Sequence, residues 1–294
     1  MTSLNDIRLA VFGPGLLGGS MLHDARALGA AGLRVWARRG ESLTAVRDAG
    51  LADFSSTDPV AVAEGADILV LCVPVGGMKE LATQLAAAHP AAGAVFTDVG
   101  SVKGMVMREV APVITAAGFP FIGSHPMAGA EKSGFAAARA GLYQDAACFV
   151  TPLPDSPCAG LERLHAFWQL LGCRTTEMAA AAHDAIVARI SHLPHVAAAL
   201  AALTAFRPDP GMARFAANGL KDTTRVAAGD PAMWRGILMA NREAMLPALR
   251  DLRDAAADML AAVETGDESK VEALLTEARL LRATRYPELP AADE

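Results

Sequence analysis

The chain has 294 residues, a length suited to about two domains. Hydrophobic residues make up 52% and charged residues 20%, which fits a soluble globular protein with ample core. The formal net charge of −6 argues against a nucleic-acid partner. Cys72, Cys148, Cys158 and Cys173 show no metal-type spacing and read as reduced thiols. Asp6 and Arg8 interrupt any leader-like start. No apolar run approaches the about 18–20 residues of a membrane helix. A cytoplasmic protein without a membrane partner is therefore expected.

The first half alternates short apolar runs with longer helical patterns. Strands are expected at 8–12, 33–37, 68–74, 94–99, 119–123, 147–152 and 174–178. Several are continuously apolar, as parallel strands buried on both faces are. Crossover-length segments between them predict a doubly wound α/β sheet.

The first strand runs into "GPGLLGGS" (13–20). Gly13, Gly15 and Gly18 form GxGxxG, here after a strand and at the start of a helix, the setting that a dinucleotide site requires. Gly13 permits the tight turn, Gly15 lets a pyrophosphate approach, and Gly18 lets helix and strand pack. Leu16 and Leu17 complete the loop, where the helix N-terminus offers N–H groups to phosphates. The second strand ends in Ala37, Arg38 and Arg39, where an NAD-preferring site usually carries an acid. Two guanidinium groups without that acid favour NADP over NAD, although paired solvated arginines on a loop are common. "LCVPVGG" (71–77), with Val73 and Pro74, reads as a lid on the nucleotide.

Two further strand ends are polar. "TDVGSVKG" (97–104) presents Asp98, Ser101 and Lys103. "GSHPMAGAEKSG" (123–134) is read as a strand end turning into a loop, and presents Ser124, His125, Glu131 and Lys132. Ser101 could cap a helix starting near Val102. His125 could be a simple loop histidine, but both segments end where ligands sit in such sheets.

No convincing strand follows residue 178, so the division is 1–178 for the dinucleotide domain and 179–294 for an all-helical one. Asp230–Pro231 marks a helix start. The helices are apolar enough to bury surface in a homodimer. In "HDAIVARISHLPH" (183–195), a regular helix would set His183 and His195 about 120° apart. Pro194 makes this turn irregular, and no metal site is read.

Taken in order, "GPGLLGGS", "TDVGSVKG", "GSHPMAGAEKSG", "HDAIVARISHLPH" and "LKDTTRVAAGDPAMW" (220–234) resemble the prephenate/arogenate dehydrogenase family of tyrosine biosynthesis. The resemblance implies a Rossmann-type domain followed by a helical dimerisation domain. It implies oxidative decarboxylation of prephenate or arogenate with hydride transfer to NAD(P). It also implies that His125 is the catalytic histidine and that Ser101 contacts the same substrate hydroxyl and the cofactor. His195, His183 and Arg225 become substrate-binding residues, and Glu131 a candidate gate. Without the resemblance, Arg225 reads as a solvated partner of Asp222. His192 is read as a packing histidine and Trp234 as a core or pocket wall. Other readings are a β-hydroxyacid or imine-reducing dehydrogenase, and a dinucleotide-sensing module without catalysis. The first of these expects a lysine on the junction helix, and none precedes Lys221 there.

Overall fold

The computed structural model describes residues 3–130 and 132–285. Five parallel strands, β1 (Arg8–Phe12), β2 (Gly32–Trp36), β3 (Phe54–Ser56), β4 (Ile68–Leu71) and β5 (Val95–Asp98), lie in the order β3-β2-β1-β4-β5. The helices between them are α1 (Leu16–Ala27), α2 (Gly40–Asp48), α3 (Pro59–Ala63) and α4 (Val75–Leu85). After β5 come α5 (Lys103–Glu109) and α6 (Ala111–Ala116).

The continuous apolar runs have a direct cause: alternate residues of each strand feed two cores. Leu9, Val11, Val35 and Val70 pack with Met21 and Leu22 of α1. Ala10, Phe12, Leu69 and Phe96 pack on the other face with Met78, Val106 and Ile114. This is the double burial that parallel strands need.

A second sheet holds β6 (Gly123–Pro126), β7 (Ala147–Thr151) and β8 (Arg174–Glu177) in that order. The segment before β6 is tied to β5 through Phe96 N–H to Pro120 O and Ile122 N–H to Phe96 O. Two expectations are corrected here. The strand expected at 119–123 lies later, so that "GSHP" is itself a buried strand rather than the start of a loop. β6 and β7 are also antiparallel, with His125 opposite Phe149, while β7 and β8 are parallel. β3 was not anticipated; three residues of Phe-Ser-Ser give no apolar run.

α7 (Cys158–Leu170) connects β7 to β8, and everything described after β8 is helical. α8 (Ala180–Val187) passes through a five-residue π turn, Ala188–His192, into α9 (Leu193–Phe206). Pro194 lies in the first turn of α9 and brings no backbone N–H, which suits a break in regular helical bonding. The remaining helices are α10 (Asn218–Thr224), α11 (Pro231–Ala240), α12 (Arg242–Thr265) and α13 (Glu268–Arg285). Asp230 caps α11 by accepting from Met233 N–H at 2.7 Å. The expectation that no apolar run reaches a membrane-spanning length is not met. The continuous helix Ala180–Phe206 is long and apolar enough to cross a membrane by length and composition alone.

Contacts divide the chain into two compact units, Met1–Met245 and Leu246–Glu294. In the second, α12 and α13 turn at Gly266 (φ +67°). Ala262, Val263 and Leu275 help wall a cavity of about 620 Å³ between them.

Candidate active site

The glycine loop behaves as its spacing demands. Gly13 has φ +113°, and a Cβ there would lie 2.7 Å from Cys72 O. At Gly18 a Cβ would come 2.2 Å from Gly13 O and 2.9 Å from Val11 Cγ1, so only glycine lets α1 close on β1. Gly15 is different: a Cβ would meet nothing within 4 Å. The space over Gly15 is where a pyrophosphate would approach. Gly15 precedes α1 without any side-chain cap, and the first turn holds no acidic residue. These features fit a dinucleotide. Val73 lies beside Gly13, and Pro74 starts α4. Arg38 and Arg39 are exposed after the buried Ala37, just ahead of α2.

Beyond β5 the chain builds a buried polar cluster. Asp98 Oδ2 pairs with Lys103 Nζ, and both side chains are fully buried. The same carboxylate accepts from Gly100 N–H at 2.8 Å and, through Oδ1, from Ser124 N–H at 3.1 Å. Lys103 also donates to Ser124 O at 2.7 Å, and Ser124 Oγ donates to Asp98 O at 2.6 Å. The bundle fastens β6, and with it His125, to the end of β5. Burial pulls the Lys103 ammonium below its ordinary pKa, and Asp98 opposes that shift. The side-chain cap expected of Ser101 is absent. Val102 occupies the N-cap of α5 without a side-chain bond, and Asp184 of α8 fills the role from a distance. Its Oδ1 accepts from Lys103 N–H at 2.7 Å and its Oδ2 from Gly104 N–H at 2.8 Å.

His125 Nδ1 lies 2.9 Å from His183 Nε2, and His183 Nδ1 lies 2.9 Å from Asp184 Oδ1. The hydrogen-bonded Asp184 carboxyl is held below its ordinary pKa despite burial. It is therefore an acceptor, which assigns the proton between them to His183 Nδ1. His183 Nε2 then accepts, His125 Nδ1 donates, and His125 Nε2 carries a lone pair with no partner among the described residues. Burial, then the nearby His183, Lys103 and His192, push His125 well below the ordinary imidazole pKa. It is neutral at pH 7. His183 is fully buried with both ring nitrogens engaged.

A second group of rings adjoins this one. Asn241 Nδ2 donates to His192 Nδ1 at 3.1 Å and to Asp184 O at 3.0 Å. His192 Nδ1 is thereby engaged, and its ring also faces the Ser101 backbone. Burial takes its pKa down to about 4. His195 stacks on Trp234, with ring centroids 3.5 Å apart. Gly229 makes room for that stack, since a Cβ there would lie 2.5 Å from Trp234 Nε1. Beside His195 opens a cavity of about 730 Å³, walled by Ala199, Leu203, Phe206 and Ala227 and including Arg207. Arg225 begins the short 3₁₀ turn that continues to Ala228 and is itself exposed. Glu131 lies outside the described residues.

Of the expected site residues, the structure joins His125 and His183 directly. It sets His195 next to the same cluster through Trp234 and His192. Asp184 and Asn241 were not anticipated. The only sequence signal for Asp184 is its place after His183, and nothing marks Asn241.

Two family models match, described as prephenate dehydrogenase, nucleotide-binding domain (residues 25–177) and prephenate dehydrogenase, dimerization domain (residues 179–277). The chain belongs to the prephenate dehydrogenase family. This dehydrogenase is 32% identical to the cyclohexadienyl dehydrogenase of Zymomonas mobilis over 82% of its own length and 83% of the relative's. It is 27% identical to a prephenate dehydrogenase of Lactococcus lactis, covering 94% of this chain and 76% of that one. The prephenate dehydrogenase of Aquifex aeolicus, solved with hydroxyphenyl propionate and NAD⁺, superposes with a TM-score of 0.87 at 27% identity. That match covers 95% of this chain and 98% of the other. This dehydrogenase therefore uses a nicotinamide cofactor.

Proposed function

We propose that this dehydrogenase oxidises and decarboxylates prephenate, arogenate or both, with His125 as the base. The observation that carries the reading is the bare Nε2 of a buried, neutral His125 at a strand end beyond the glycine loop. The substrate ring must lose a proton from its 4-hydroxyl, a hydride from C4 and its ring carboxylate as carbon dioxide, and it becomes aromatic. Aromatisation drives the reaction, so the protein needs chiefly a base, positioning and a grip on carboxylates. When bound, the nicotinamide supplies the hydride acceptor.

His125 Nε2 takes the hydroxyl proton, and Ser101, in the turn just past the end of β5, contacts that hydroxyl. His195, set by its stack on Trp234, contacts the substrate from the helical side. Arg225 grips a carboxylate through its planar fork. Glu131 serves as a gate. Gly13, Gly15, Leu16, Leu17, Gly18, Val73 and Pro74 hold the dinucleotide. Arg38 and Arg39, without an acid at the end of β2, favour NADP by receiving a 2′-phosphate. Residues 1–178 would serve the dinucleotide and 179–294 the substrate and a homodimer. The dimer is supported by the exposed Leu200, Leu203, Phe215 and Met239, and by the small buried share of the apolar helix Ala180–Phe206. Four free cysteines suit a cytoplasmic location.

The test is a two-by-two comparison of prephenate and arogenate with NAD and NADP, following nicotinamide reduction. We expect turnover with at least one substrate and a lower KM for NADP; no reduction with either substrate would end the reading. His125→Asn is expected to bind cofactor normally and lose about 10²–10⁴-fold in kcat.

A further inference from the structure

We propose that Asp184 and His183 are positioning residues: together they fix the proton on His125 Nδ1 and tie that histidine to the turn that carries Ser101. The inference rests on His125 acting as the base and adds what makes its Nε2 available. A neutral imidazole exists in two tautomers, and only one leaves Nε2 bare. The chain of bonds from the Asp184 carboxylate through His183 to His125 Nδ1 selects that one, with each link at 2.9 Å. His183 cannot swing away to take another role, because it is fully buried, edge-on to both Phe149 and His125.

The same carboxylate holds Lys103 N–H and Gly104 N–H, so it also anchors the turn just after Ser101. Asp184 is thereby common to the two groups expected at the substrate hydroxyl. Gly104 is shaped to admit it: a Cβ there would lie 2.6 Å from Asp184 Oδ2. The other ionisable groups about this pair are Lys103 of α5, His192 of the π turn, Asp98 of β5 and Cys148 of β7.

Three variants of the full chain test this, each assayed with cofactor and substrate. His183→Phe removes the acceptor for His125 Nδ1–H and should lower kcat by about 10²–10⁴-fold, the scale of a wrong tautomer. KM and cofactor Kd should stay within about twofold of the parent, because only transition-state interactions are lost. His183→Gln keeps an acceptor oxygen and should recover at least about tenfold of that kcat. Gly104→Ala displaces the Asp184 carboxylate without removing any polar group and should lower kcat by at least about tenfold at unchanged KM.

The proposal is overturned if His183→Phe keeps parental kcat, if it raises KM alone, or if His183→Gln is no better than His183→Phe. Should His183→Phe fail to fold in a thermal melt, Gly104→Ala decides, and parental kcat there overturns the proposal. His125→Asn, run alongside, separates the two failures. If it keeps turnover, the base assignment is wrong; if it is inactive while His183→Phe is normal, only the positioning claim is wrong.

Discussion

Replacing Lys103 with methionine would keep the unbranched stem that fills the space against Gly123, where a Cβ would lie 3.4 Å from Lys103 Cδ. It would delete the ammonium from a pair whose two side chains are both fully buried. Asp98 would retain its bonds from Gly100 N–H and Ser124 N–H but lose its counter-charge, and Ser124 O would lose its donor. Removing one partner of a buried pair costs about 3–5 kcal/mol, a large part of the about 5–15 kcal/mol that stabilises an ordinary fold. Urea unfolding followed by tryptophan fluorescence would measure it. The double variant Asp98→Asn with Lys103→Met removes both charges and should be more stable than the sum of the single losses by about 1 kcal/mol or more. The reasoning is refuted if Lys103→Met costs less than about 1 kcal/mol, or if the two single losses simply add.

The glycines make a sharper pair. Gly15→Ala should fold within about 1 kcal/mol of the parent yet bind cofactor at least about tenfold more weakly, while Gly18→Ala should lose the fold itself; fluorescence titration and a thermal melt separate them. Asp230→Ala should cost about 1 kcal/mol by removing the cap on Met233 N–H, read from the urea midpoint. His125, His183, His192 and His195 are all held below their ordinary pKa, chiefly by burial. The unfolded chain therefore binds more protons than the folded one below about pH 6.5. Stability should be full above that pH and fall as pH drops toward the folded values, about 4 for His192, by up to about 1.4 kcal/mol per pH unit for each group. A urea midpoint unchanged between pH 7.5 and 5 would contradict this, and His192→Gln should flatten the slope.

The α/β half could be read from the sequence because its signals are local. Continuous apolar runs mark buried parallel strands, and the glycine spacing sits at one turn. β3 escaped notice because three residues paired to β2 need no apolar run of their own. β6 reads as a strand end turning into a loop because Pro126 and the glycines look like turn residues. Its strand character comes from pairing with β7, more than twenty residues on. The site was legible as a set of residue types but not as a set of partners. Asp184 bonds to backbone 80 and 81 residues away, and no local pattern announces that. Adjacent residues on a helix do not usually face one another, so His183 and Asp184 gave no hint of their bond.

The π turn between α8 and α9 reverses one geometric expectation. Twelve residues of regular helix would leave His183 and His195 about 120° apart. A π turn closes over one residue more than an α turn, so one residue of the twelve adds no net rotation. Eleven effective steps of about 100° bring the two histidines to within about 20° of the same face. The wide turn therefore acts as a phase corrector. Deleting one residue within 188–192 should leave both histidines facing as they do, whereas deleting one at 185–187 or 193–194 would turn one of them a quarter-turn or so away.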